Sequence, residues 1–247
     1  MDIQTQDQAQ TYLQSWLNDH AHVLHFDNPH ITPLAETPLY YSFTFSVSNS
    51  PQTYHVKMSK PEHLDVIQHE AYMLRFLALQ QVPFVPEYIY YSFKPRFLVT
   101  TFIPGTQLLA SSDLSSFVDH IAQTLAGIHA IPLREYIDHF KRDIVSAEKI
   151  GDLIPDLPER FRNVQVPMTI THNDLLPEHI IQNEQSAYII GWSKGDVNTP
   201  YIDLAALFGS THMSIDHQTR FLETYHHYVP FQIDLELMSA LEVISKP

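Results

Sequence analysis

The feature that most constrains this chain is a change of hydrophobic period at Pro104-Gly105. Before it, apolar residues fall largely in short alternating runs, the mark of half-buried strands; after it, the longest pattern repeats every three or four residues, as a helix requires. Strands and helices that are segregated along the chain predict an α+β architecture rather than alternating βαβ units. Residues 30–34, Tyr40–Val47 and 52–58 read as three antiparallel strands, with Ser48-Asn49-Ser50-Pro51 as a turn. Residues 6–22 read as a helix with Tyr12, Leu13, Trp16 and Leu17 on one face. Pro61 suits the first turn of a second helix, whose buried stripe is Leu64, Ile67, Ala71, Leu74 and Ala78. Tyr88–Phe93 and residues 97–102 complete the strand-rich part, joined by Lys94-Pro95-Arg96. Pro104-Gly105 is the expected hinge, dividing residues 1–103 from residues 104–247. Beyond it, Asp113 is the expected cap of a long helix carrying Leu114, Phe117, Val118, Ile121, Leu125 and Ile128. Three short strands follow, at 168–171, Ile180–Gln182 and 188–190, before a helical C-terminus.

Composition narrows the function classes. Lys and Arg number 14 against 28 Asp and Glu, a formal charge of −14, which opposes nucleic-acid backbones and anionic membranes and favours a cationic small molecule. The absence of cysteine removes disulfides and thiolate metal sites. The polar, acidic N-terminus and the lack of a long apolar run lead to the expectation of a cytoplasmic protein with no membrane partner. The 16 histidines are scattered, without a ligand triad at metal spacing, so a metal-dependent hydrolase is poorly supported.

Chemistry concentrates in Thr171-His172-Asn173-Asp174-Leu175-Leu176-Pro177-Glu178-His179, a polar segment between two apolar stretches. A strand must deliver His172 and Asp174 onto a short loop there. Phosphoryl transfer needs a carboxylate that orients the attacking hydroxyl, and groups that neutralise phosphate charge.

The segment resembles the HGDLxxxN catalytic loop of the aminoglycoside-phosphotransferase and choline-kinase-like family. The resemblance implies a two-lobed, protein-kinase-like fold: a small antiparallel sheet lobe and a mainly helical lobe. It implies that Asp174 is the catalytic base, that His172 braces the loop, and that His179, standing for the family's asparagine, is a metal ligand. Lys57 matches the phosphate-binding lysine and Glu70 its helix partner, thirteen residues on. Thr101, Phe102 and Ile103 match the connection that bonds adenine through its backbone. Leu125-Ala126-Gly127-Ile128-His129 and Tyr201-Ile202-Asp203-Leu204-Ala205 resemble two further family segments. The implied cofactors are ATP, or another nucleoside triphosphate, and Mg2+.

Two departures bear on activity. Where the family's metal-binding aspartate precedes tryptophan, this chain has Gly191 before Trp192, which leaves Asp196 and Glu178 as candidate substitutes. The loop Leu34-Ala35-Glu36-Thr37-Pro38-Leu39 lacks the family's glycines, and its proline removes a backbone donor. The expected function is therefore ATP-dependent transfer to the hydroxyl of a small, cationic molecule. The alternative is a pseudokinase that binds a nucleotide or partner without efficient catalysis.

Overall fold

The computed structural model describes residues 3–109, 116–184, 186–211 and 213–244. In chain order these form α1 (Gln6–Leu24), β1 (His30–Glu36), β2 (Tyr40–Val47), β3 (Ser50–Ser59), α2 (Leu64–Leu79), β4 (Tyr88–Phe93), β5 (Arg96–Thr101) and β6 (Thr106–Gln107). Then come α3 (Val118–His129), α4 (Leu133–Phe140), β7 (Ala147–Lys149), α5 (Ile150–Leu153), α6 (Glu159–Arg162), β8 (Gln165–Pro167) and β9 (Thr169–Thr171). The chain closes with β10 (Ile180–Gln182), β11 (Ala187–Ile189), β12 (Asp196–Asn198), α7 (Pro200–Thr211), α8 (Ile215–His226) and α9 (Leu235–Ile244). The architecture is α+β. The chain separates into two compact units: residues 1–75 with 86–103, and residues 76–85 with 104–247.

The first unit is an antiparallel sheet of order β1-β2-β3-β5-β4 with α1 packed on it. Thr5 caps α1 by accepting the Gln8 N–H. The helix then buries Ala9, Leu13, Trp16 and Leu17 against Phe43, Phe45 and Phe97 of the sheet. Alternation along β2 places Tyr41, Phe43 and Phe45 on that buried face. Each such aromatic contributes roughly 2–3 kcal/mol by leaving water.

Helix α2 departs from the expected stripe at its end. Ile67, Ala71 and Leu74 are buried, but Ala78 is exposed and Phe76 and Leu77 are buried instead. The cause is packing: the Phe76 ring lies 5.6 Å from Tyr136 and 5.7 Å from Phe140.

In the second unit α3 packs on α8 and α7 on α9, beside three small sheets, β11-β10-β6, β12-β9 and β7-β8. Helix α3 begins at Val118, with Phe117 at the cap position making no side-chain bond. The expected cap Asp113 and its neighbour Leu114 lie outside the described residues. No helix among the described residues is long and apolar enough to cross a membrane.

Within the first unit, His55 on β3 has its Nε2 2.7 Å from the Ser42 hydroxyl. Burial, and then the Lys57 ammonium, push its pKa down from 6.5 to about 3. The unfolded chain therefore binds a proton that the folded chain refuses, so the stability from neutral His55 is full above pH 6.5 and is lost as pH falls toward 3. Unfolding free energies measured from pH 7 to pH 4 should fall less steeply for His55→Gln than for the wild type, the difference approaching about 1.4 kcal/mol per pH unit. Parallel curves would show that His55 does not give up a proton on folding.

Candidate active site

In the first unit, Lys57 leaves β3 toward Glu70 on α2. Its Nζ lies 2.7 Å and 2.9 Å from the two carboxylate oxygens. Both side chains are largely buried, 13% and 4% exposed, so this is a desolvated pair and not a mobile surface one. Burial alone would lower the Lys57 pKa; the Glu70 carboxylate and Tyr40, whose ring lies 5.1 Å from the ammonium, more than offset it and hold the lysine charged.

The β1–β2 loop uses its own donors. The N–H groups of Leu39 and Tyr40 donate to the Thr37 hydroxyl, and the Thr37 N–H donates to the Tyr40 carbonyl. Glu36, a negative charge beside them, is paired at 2.7 Å with Lys60. At the segment expected to meet adenine, the Thr101 N–H donates to the Glu87 carbonyl and the Phe102 N–H to the Thr53 carbonyl. Of these three, only the Ile103 N–H makes no bond among the described residues, so it alone is free to donate.

In the second unit, β9 ends at Thr171 and the polar segment turns away from the strand. Asp203, in the first turn of α7, is fully buried. Its two oxygens accept the N–H of His172 at 2.7 Å and of Asn173 at 2.8 Å. His129 Nε2 lies 3.2 Å from the same carboxylate, and its Nδ1 lies 2.6 Å from the Tyr225 hydroxyl. A buried carboxylate thus seizes two consecutive backbone donors, each such charged bond contributing about 1.5–3 kcal/mol.

That grip forces Asn173 to φ 62°, a left-handed conformation that asparagine tolerates better than most residues. Its side chain secures the turn: Oδ1 accepts from Thr171 and Asn198, and Nδ2 donates to the Lys194 carbonyl. His172 is fully buried, donates from Nε2 to the Ile190 carbonyl at 2.8 Å, and packs 4.7 Å from the Trp192 ring. Burial lowers its pKa, which keeps the ring neutral. It reaches no solvent, and its contacts brace the loop.

Asp174 is then presented at the surface, its side chain 24% exposed. Its backbone carbonyl accepts from His179 Nδ1 at 2.6 Å, and its carboxylate faces Lys194 Nζ at 3.0 Å. Lys194 is the residue that sequence reasoning missed. Its only signal was a cation in the turn after Trp192, which carries no motif.

The residues in the metal positions do not form a ligand set. His179 spends Nδ1 on a carbonyl, and its other edge lies against Gly191. Asp196 is engaged elsewhere, by the Tyr136 hydroxyl at 2.5 Å and by Arg142 at 2.8 Å. Glu178 is exposed, with its backbone carbonyl bonded to Gln107. Among the described residues, no three His, Asp or Glu side chains gather to hold an ion.

Comparison with known proteins settles the family. Residues 39–235 match the model of a phosphotransferase enzyme family, abbreviated APH. The chain belongs to that family. Protein LicA of Haemophilus influenzae is 31% identical over 77 residues, a match covering 29% of the chain and 29% of LicA. The matched part thus spans under a third of that relative's length. A LicA homolog of Mycoplasma capricolum is 20% identical over 173 residues, 66% of this chain and 70% of its own. Among solved structures, choline kinase LicA from Streptococcus pneumoniae superposes with a TM-score of 0.65 at 20% identity, covering 94% of this chain and 86% of that one. Plasmodium vivax ethanolamine kinase gives 0.67 at 15%, covering 98% and 79%. The streptomycin-ATP-APH(2″)-IIa ternary complex gives 0.63 at 16%, covering 94% and 88%. At these identities the likeness is one of fold: this APH-family chain has the protein-kinase-like fold.

The site makes a direct prediction. Asp203→Asn replaces one carboxylate oxygen with a donor facing an N–H, and should cost on the order of 3 kcal/mol, a fall in Tm of several degrees in differential scanning calorimetry. A Tm equal to that of the wild type would mean that the loop does not hang on this carboxylate.

Proposed function

We propose that this chain transfers the γ-phosphate of ATP to the hydroxyl of a small cationic alcohol. The observation that carries the reading is Asp174: an accessible carboxylate at the head of a loop anchored by a buried one. Family membership supports small-molecule phosphotransfer as the reaction class. Nucleotide identity and acceptor belong to the proposal.

In this reading Asp174 accepts a hydrogen bond from the acceptor hydroxyl, orients its oxygen toward the γ-phosphorus, and takes up the proton as the new P–O bond forms. The bond from the γ-phosphorus to the β,γ-bridging oxygen breaks and ADP leaves with its electron pair. Lys57, held charged by Glu70, pairs with phosphate oxygens. Ile103 supplies the backbone donor to the base. A cationic acceptor is favoured by the formal charge of −14 and by the relatives, which are described as a choline kinase, an ethanolamine kinase and a streptomycin complex. A divalent ion fits poorly, because the side chains at its usual positions are spent or absent, and no step here runs through one. The pseudokinase alternative draws no support from these relatives. We place the protein in the cytoplasm, on its composition.

The test is ATP consumption with choline, ethanolamine and aminoglycosides as acceptors. At least one should be phosphorylated, and Asp174→Asn should lower kcat by roughly a hundredfold or more with an unchanged Tm. Lys57→Ala should raise the KM for ATP. Equal turnover by the wild type and Asp174→Asn would overturn the assignment.

A further inference from the structure

The hairpin of β10 and β11 pairs Ile180 with Ile189, and the Ile190 N–H donates to the His179 carbonyl. This antiparallel register brings Gly191 alongside the imidazole of His179. Gly191 has φ 80°, and a Cβ placed on it would sit 2.6 Å from His179 Cδ2 and 3.0 Å from Nε2. The replacements at 179 and 191 are therefore coupled: the imidazole at 179 occupies the space that a side chain at 191 would need. A side chain at 191 therefore needs the His179 ring to move, and φ 80° strains it further.

The negative charge left at this loop is met by another group. Lys194 closes the 3₁₀ turn that starts at Trp192. The turn is anchored at both ends, by the buried Trp192 ring, whose Nε1 donates to the Ile189 carbonyl, and by Asn173, whose Nδ2 donates to the Lys194 carbonyl. Thus the residue that precedes Asp174 also fixes the backbone that carries Lys194. The ammonium lies 3.0 Å from Asp174 Oδ2, while the nearest nitrogen of His179 is 3.9 Å from the same oxygen.

We propose that the Lys194 ammonium is the resident cation of the Asp174 carboxylate, supplying positive charge beside it in a loop whose described side chains form no ligand set for a divalent ion. Its part in turnover rests on the phosphotransferase reading; its place beside Asp174 does not. An ammonium on a flexible stem carries one positive charge, orients the carboxylate through a hydrogen bond, and can follow it as an acceptor enters. It does not need the rigid oxygen cage that magnesium demands. Lys194 is a positioning residue, acting on the hydroxyl through Asp174.

Two measurements on the full chain test this separately. The first is the rate at which an amine-acylating reagent modifies Lys194, read by mass spectrometry. That rate should rise severalfold in Asp174→Asn, and millimolar Mg2+ should leave the wild-type rate unchanged. Acceleration by Mg2+ would show that the ion displaces the lysine from Asp174, and would overturn the proposal whatever the activity. The second is turnover with an acceptor that the wild type phosphorylates. Lys194→Met should lower kcat by on the order of a hundredfold with little change in KM or Tm, Lys194→Arg should restore part of it, and His179→Asn/Gly191→Asp/Lys194→Met should recover turnover in Mg2+. Full activity in Lys194→Met would also overturn it. Should the wild type phosphorylate no acceptor, the phosphotransferase reading fails, and the acylation rates still decide where the lysine sits.

Discussion

The loop that carries Asp174 depends on one buried carboxylate. Asp203 accepts two consecutive N–H groups, from His172 and Asn173, and is itself fully buried. Two adjacent donors can point at one carboxylate only if the backbone between them turns sharply, and the left-handed φ of Asn173 is that turn. The exposure of Asp174 follows from it: once the chain has reversed, the next side chain leaves the core. His129 and Tyr225 secure the carboxylate from the other side, tying α3, α7 and α8 to the loop.

Around that anchor, the departures from the family pattern come in matched sets. Asparagine at 173 keeps a left-handed residue in the place of glycine and uses its amide to hold the Lys194 turn. The imidazole of His179 fills the space over Gly191. In the first unit, Glu36 in a glycine-free loop is balanced by Lys60. A side chain at 191 would meet the His179 ring, and Glu36 without Lys60 would lose its ion-pair partner.

Much of this was legible in the sequence, and for physical reasons. The thirteen-residue separation of Lys57 and Glu70 survives as a bidentate ion pair, because strand and helix geometry fix where such side chains emerge. Alternation in β2 and the period of α1 revealed the core of the first unit. What stayed hidden was decided by tertiary contact. Ala78 gave way to Phe76 and Leu77 because aromatic partners lie on that side of α2. The N–H groups of Thr101 and Phe102 are consumed by Glu87 and Thr53, which a linear motif cannot report. Lys194 meets Asp174 through a side-chain bond twenty-one residues long in sequence, and no spacing rule reaches that far.

The claim on which all of this turns is that Asp203 shapes the loop that presents Asp174. Amide hydrogen exchange at His172 and Asn173, followed by mass spectrometry in the wild type and in Asp203→Asn, measures it most directly. Both amides should be protected in the wild type and exchange much faster in the variant, while the strands of the first unit keep their protection. Unchanged protection at His172 and Asn173 would contradict the account, since the loop would then be held by something other than that carboxylate.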